Sequence, residues 1–129
     1  MSIRQTAVVG LGVIGASWVA QFLGAGLQVR CFDPSVVARA ALLPFLEQAL
    51  GDASAWQPRL QIAGDLRDAV RGVELVQENG PEAPHLKRAL IEAIDLAADP
   101  SALIASSTSG HRPSDLQAMA GAFPQRVLV

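Results

Sequence analysis

Three glycines stand where a strand should be ending: Gly10, Gly12 and Gly15, in "TAVVGLGVIGASWV". Glycine weakens regular structure, so three within six positions need a physical reason. The apolar, β-branched "TAVVG" reads as a fully buried strand. Val13 to Leu23 reads as a helix, with Ile14, Val19, Phe22 and Leu23 available for packing. A buried strand that passes through glycines straight into a helix is the opening of a βαβ unit. In that setting Gly10 permits the tight turn, Gly12 leaves bare backbone for a pyrophosphate, and Gly15 lets the helix lie close on the strand. The helix-opening N–H groups, around Val13 and Ile14, lack intrahelical partners and point at the anion with the helix dipole.

A second strand, "LQVRCFD", ends in Asp33, 18 residues beyond Gly15. A carboxylate there accepts hydrogen bonds from the ribose hydroxyls of an adenosine and repels a 2′-phosphate. The pattern therefore predicts NAD as cofactor. NADP is kept open only by Arg30 and Arg39, either of which could reach a phosphate.

Beyond Asp33, strands and helices alternate. Pro34 and Ser35 open a helix running to about Leu50, which Pro44 should bend or divide. Gly51 to Pro58 reads as a loop, "LQIAGD" as a short strand, Leu66 to Arg71 as a short helix and "VELVQE" as a strand. Glu82 to Ala98 is a helix with Leu86, Leu90, Ala93, Ile94 and Ala97 on one face. "ALIAS", Pro113 to Ala120 and "RVLV" supply a strand, a helix and a sixth strand. Most strands lack an exposed face. The fold class is therefore α/β: a doubly wound parallel sheet covered on both sides, the Rossmann arrangement.

Composition narrows the function. Half of the 129 residues are hydrophobic and 17% charged, enough for one domain with a real core and too apolar for a disordered tail. The net charge is −2 and the basic residues are scattered, so nucleic acid is not an expected partner. No apolar run reaches the ~20 residues of a membrane span, and the start lacks a signal-peptide layout. With one cysteine, Cys31, a reducing cytoplasm is the expected setting. One cysteine and two distant histidines predict no metal site. Ser109, His111 and Asp115 invite a hydrolase reading, but no GxSxG elbow accompanies them.

Two later stretches, "GVELVQENGPEAPHLKRALIEAI" and "ALIASSTSG", resemble the corresponding segments of the 3-hydroxyacyl-CoA dehydrogenase family. The resemblance covers nearly the whole chain and includes Gly10, Gly12, Gly15 and Asp33. It implies that Glu82 and Lys87 contact the nicotinamide-side ribose and phosphates, and that Asn79 and Gly80 pass beside the cofactor. It also implies that Ser109 lies near the nicotinamide and the substrate hydroxyl, in a supporting catalytic role. Lys87 is the only lysine beside nine arginines.

On this resemblance residues 1–129 are the NAD-binding Rossmann domain of an oxidoreductase that moves hydride from an L-3-hydroxyacyl substrate to NAD. The family's catalytic histidine, its partner glutamate and its C-terminal helical domain would follow the sixth strand, so the isolated chain is expected to be inactive. The complete enzyme is expected to be a homodimer acting on a 3-hydroxy acid or acyl-CoA. "SSTSG" in place of the family's Ser-Asn-Thr-Ser-Ser leans toward the branch of carnitine and gulonate dehydrogenases, which act on free 3-hydroxy acids. A stand-alone NAD-binding module is the non-catalytic alternative.

Overall fold

The computed structural model describes residues 2–129. Six parallel strands form one sheet in the order β3-β2-β1-β4-β5-β6. They are β1 (Gln5–Val9), β2 (Gln28–Phe32), β3 (Leu60–Ile62), β4 (Leu75–Glu78), β5 (Leu103–Ser106) and β6 (Val127–Leu128). The helices between them are α1 (Val13–Gly24), α2 (Val36–Leu50), α3 (Leu66–Val70), α4 (Pro84–Ala97) and α5 (Pro113–Met119). The order reverses between β1 and β4, so the carboxyl ends of these two strands flank a crevice, the ligand position of open α/β sheets.

Alternation along the strands sorts two cores. Val8, Val29 and Cys31 pack under α1 and α2 with Val19, Leu23, Leu42 and Leu46. Ala7, Val9, Val76 and Ile104 face the other way, onto Val70, Ile91, Ile94 and Leu116 of α3, α4 and α5. Coverage is uneven, against the expectation of a sheet buried on both sides. Ile104 and Val127 sit beneath α4 and α5, whereas Leu103 and Leu128, which alternate to the α1 side, are 41% and 42% exposed. No helix among the described residues crosses that half of the sheet.

Other local expectations change for identifiable reasons. Pro44 does not divide α2. Its missing N–H frees the carbonyl of Ala40, and both residues lie on the exposed side, where water replaces the bond. The Gly51–Pro58 stretch contains two short 3-10 turns, Ala53–Ala55 and Gln57–Arg59, held around the buried Trp56. On α4 the buried face is Lys87, Ile91, Ile94 and Asp95. Leu86, one of the expected packing residues, is 45% exposed.

Cys31 is completely buried in β2, and burial pushes its thiol up to about 12. The thiolate is the reactive form. At about pH 8 a thiol-specific disulfide reagent should label Cys31 only as fast as the protein unfolds. Immediate labelling of the native protein would contradict this packing.

Candidate cofactor site

The three glycines divide into two that pack and one that does not. Gly10 has φ +89°, and a Cβ there would stand 2.7 Å from the carbonyl oxygen of Asn79. Its N–H donates to the carbonyl of Phe32 at 2.9 Å, tying β1 to β2 at the crevice. A Cβ on Gly15 would overlap the carbonyl of Gly10, so helix and turn are in direct backbone contact. Gly12 differs: nothing lies within 4 Å of where its Cβ would be. It is the residue that opens α1, and no side chain caps that helix. Nor is there an acidic residue in the first turn. The helix start is thus bare backbone beside open space, the arrangement an anion requires. Val13 and Ile14 are 83% and 59% exposed. This corrects the packing expectation for Ile14: the first turn projects past the strand ends, and the packing face is Ala16, Val19, Phe22 and Leu23.

Asp33 reaches back across the crevice. Its Oδ2 accepts from the Leu11 N–H at 2.7 Å and its Oδ1 from the Ser35 N–H at 2.8 Å. The carboxylate therefore staples the glycine turn to β2, and each oxygen keeps a further lone pair for a ligand hydroxyl. Beside it lies an apolar cleft of about 620 Å³ walled by Phe32, Pro34, Leu66, Leu86 and Leu90. Leu86 and Leu90 of α4 line this cleft, and Leu90 also packs against the core beneath it, which a helical-period argument cannot distinguish. Of the two arginines that kept NADP open, Arg30 donates to the carbonyls of Asp68 and Arg71 at the end of α3. Arg39 lies over the Phe32 ring, 5.9 Å from its centre.

A polar cluster closes the other side of the crevice. Glu78, the last residue of β4, is fully buried. Its carboxylate accepts from Lys87 Nζ at 2.7 and 3.0 Å, from the Ser106 hydroxyl at 2.6 Å and from the Gly80 N–H at 2.5 Å. The resemblance put Lys87 on the cofactor. The structure places its ammonium inside the protein, 1% exposed, with Gly80 as a further acceptor at 3.1 Å and Glu82 at 3.8 Å. A buried carboxylate demands such a partner. Glu82 itself is half exposed. Partial desolvation alone would push its carboxyl up. The Thr108 hydroxyl at 2.7 Å, the Lys87 charge, the Ser109 N–H and His111 together hold it below the ordinary carboxylate value.

Ser107, which the sequence offered only as a turn or cap residue, centres a second network. Its hydroxyl receives Trp18 Nε1 at 3.1 Å and Gln77 Nε2 at 2.8 Å, and donates to Asn79 Oδ1 at 2.5 Å. Asn79 in turn donates to the carbonyls of Val9 and Gln77. The ends of β1, β4 and β5 are thereby locked together beneath the crevice. Ser109 and Gly110 are exposed at its rim. No hydrolytic triad forms: His111 Nε2 donates to the Glu82 carbonyl at 2.9 Å, and Asp115 pairs with Arg112 at 3.3 Å. Among the described residues no three His, Cys, Asp or Glu side chains gather as a metal site, and no helix is long and apolar enough to cross a membrane.

A glycine turn of this shape, at the reversal point of a parallel sheet and facing an acid on the next strand, defines a dinucleotide-binding domain. Residues 5–129 match the family model described as 3-hydroxyacyl-CoA dehydrogenase, NAD binding domain. The chain belongs to this family of NAD-dependent oxidoreductases and is its NAD-binding domain. It is 42% identical to L-carnitine dehydrogenase of Streptomyces coelicolor, over 99% of this chain and 42% of that protein. The chain thus spans about two fifths of the length of that relative. Among solved structures it is similar to a pyridine-carboxylic acid (FHMPC) 5-dehydrogenase described as an NAD+ dependent dismutase. The TM-score there is 0.86 at 30% identity, covering 98% of this chain and 43% of that one. For 3-hydroxybutyryl-CoA dehydrogenase of Escherichia coli the TM-score is 0.87 at 22% identity, covering 98% and 29%, which speaks to the fold.

Proposed function

We propose that the bare start of α1, at Gly12, Val13 and Ile14, holds the pyrophosphate of NAD, and that Asp33 takes the adenosine ribose hydroxyls. The observation that carries this is the contrast among the glycines. Gly10 and Gly15 are filled by backbone, while the space beside Gly12 is open at an uncapped helix N-terminus. The residues fit the cofactor elsewhere too. The cleft walled by Phe32, Leu86 and Leu90 is apolar and adjacent to Asp33, as an adenine ring requires. Glu82 and the exposed Ser109 stand on the side of the nicotinamide half, and Asn79 and Gly80, which also line the cleft beside Asp33, pass beside the cofactor between the two halves.

When bound, NAD supplies the hydride acceptor. This chain's residues bind and orient it: Glu82, held ionised, accepts from the nicotinamide-side ribose, and Ser109 lies within reach of a substrate hydroxyl as a supporting donor. The complete protein would oxidise the secondary alcohol of an L-3-hydroxy acid or its thioester, with the proton-accepting histidine supplied outside residues 1–129. The isolated chain would bind NAD without turnover. Within that class a free 3-hydroxy acid is favoured over an acyl-CoA. The support is the SSTSG segment at Ser106–Gly110 and the 42% identity to a protein named L-carnitine dehydrogenase. A homodimer in the cytoplasm is the corresponding proposal for the complete enzyme.

Calorimetric titration tests the cofactor reading. NAD should bind, and NADP at least about tenfold more weakly, because Asp33 faces the 2′-position. Asp33→Ala should weaken NAD by at least about tenfold and abolish the preference. Equal affinity of the parent chain for both cofactors would sink the role given to Asp33.

A further inference from the structure

Glu78 stands outside the glycine-and-acid pattern, yet no carboxylate near the crevice is held more deeply. It has zero exposure at the end of β4. Oε1 receives the Ser106 hydroxyl and Lys87 Nζ; Oε2 receives Lys87 Nζ and the Gly80 N–H. Lys87 also donates to the carbonyl of the same Gly80. Both backbone polar groups of Gly80 are therefore governed by this one ion pair. A Cβ at Gly80 would overlap the Leu90 side chain and stand 3.1 Å from Glu78 Oε2, so the loop backbone lies directly against α4 and this carboxylate.

We propose that Glu78 is a positioning residue for the nicotinamide half of NAD. It fixes the Asn79–Glu82 turn through Gly80, and it keeps the Lys87 charge 3.8 Å from Glu82. This rests on the reading that Glu82 accepts from the nicotinamide-side ribose. The charge of Glu78 is essential to the role. Without it, the nearest remaining anion to Lys87 is Glu82, and the ammonium closes on that carboxylate and withdraws it from the ligand. Gly12 and Asp33, which hold the adenosine half, share no hydrogen bond with Glu78 or Lys87, and a glutamine at position 78 can still accept from the Gly80 N–H, so the cleft that Gly80 lines beside Asp33 is kept. Loss of the Glu78 charge should accordingly act on the nicotinamide half, through Glu82.

The test is titration of Glu78→Gln with NADH and with ADP, which carries the adenosine half alone. ADP affinity should stay within about threefold of the parent, while NADH weakens at least about tenfold, so the preference for NADH collapses. Equal weakening of both ligands would make Glu78 merely structural and overturn the proposal, as would no change in either. If the parent chain itself binds NADH no better than ADP, the nicotinamide-side reading of Glu82 fails first, and the proposal with it. Should Glu78→Gln not fold, the neutral pair Glu78→Gln/Lys87→Met removes both buried charges and should fold. That double variant has no ammonium to close on Glu82 and should keep the parent's NADH preference; a folded double variant that loses it would overturn the proposal.

Discussion

Gly10→Ala is expected to lower stability by about 2–5 kcal/mol, while Gly12→Ala leaves the fold nearly intact and removes NAD binding. The two residues are neighbours in sequence and opposites in environment. At Gly10 an alanine must adopt φ +89° and place its methyl 2.7 Å from the Asn79 carbonyl oxygen, which belongs to backbone and cannot rotate away. At Gly12 the backbone is ordinary, φ −65°, and the methyl meets nothing within 4 Å. The stability cost there is that of alanine for glycine at a helix start, about 1 kcal/mol at most. The same methyl occupies the space assigned to the pyrophosphate, so NAD affinity should fall by more than about tenfold. Urea denaturation and NAD titration on the two variants separate the effects. A Gly12→Ala protein that binds NAD like the parent would remove the pyrophosphate from that turn.

The second large effect lies far from the crevice. Asp95→Ala should lower stability by about 3–5 kcal/mol, moving the urea midpoint by about 1–3 M. Asp95 of α4 and Arg126 before β6 are 2% and 5% exposed and pair at 3.1 Å. The same carboxylate accepts from the N–H groups of Ala122 and Phe123. Arg126 in turn donates to the carbonyls of Asp95 in α4 and of Asp99 and Ala102 in the segment between α4 and β5. Removing Asp95 leaves a buried guanidinium without its counter-charge and two amides without an acceptor. Asp95→Leu/Arg126→Met should recover only part of the loss, because the carbonyls of Asp95, Asp99 and Ala102 lose the guanidinium donor and the Ala122 and Phe123 N–H groups lose their acceptor. A midpoint unchanged by Asp95→Ala would show that the pair forms no part of the folded core.

The sequence exposed the elements that obey a period or a local rule. β1, α1 and β2 were legible because the glycines, the β-branched run and Asp33 each have one physical explanation, and all three agree. What stayed hidden depends on contacts between distant segments. The Leu86 and Leu90 positions of α4 repeat at helical spacing whether they line a core or a cleft. The reversal of strand order at β1 and β4 opens the crevice that makes them a cleft wall. Ser107 looked like one serine in a polar run. Its role comes from Trp18 and Gln77, 89 and 30 residues away. Glu78 did leave a signal: an acid closing the apolar strand "LVQE" must find a partner if buried, and the chain's only lysine follows nine residues later.

The central claim, that NAD lies across the carboxyl ends of β1, β2, β4 and β5, is tested most directly by mapping amide shifts during an NAD titration. The amides of Gly12, Val13, Ile14, Asp33, Gly80, Glu82 and Ser109 should move together and saturate with one dissociation constant. At the opposite ends of the strands lies a separate cavity of about 480 Å³ lined by Gln5, Gln28, Arg30 and Gln61. Shifts confined to those residues, with the glycine turn silent, would contradict the account.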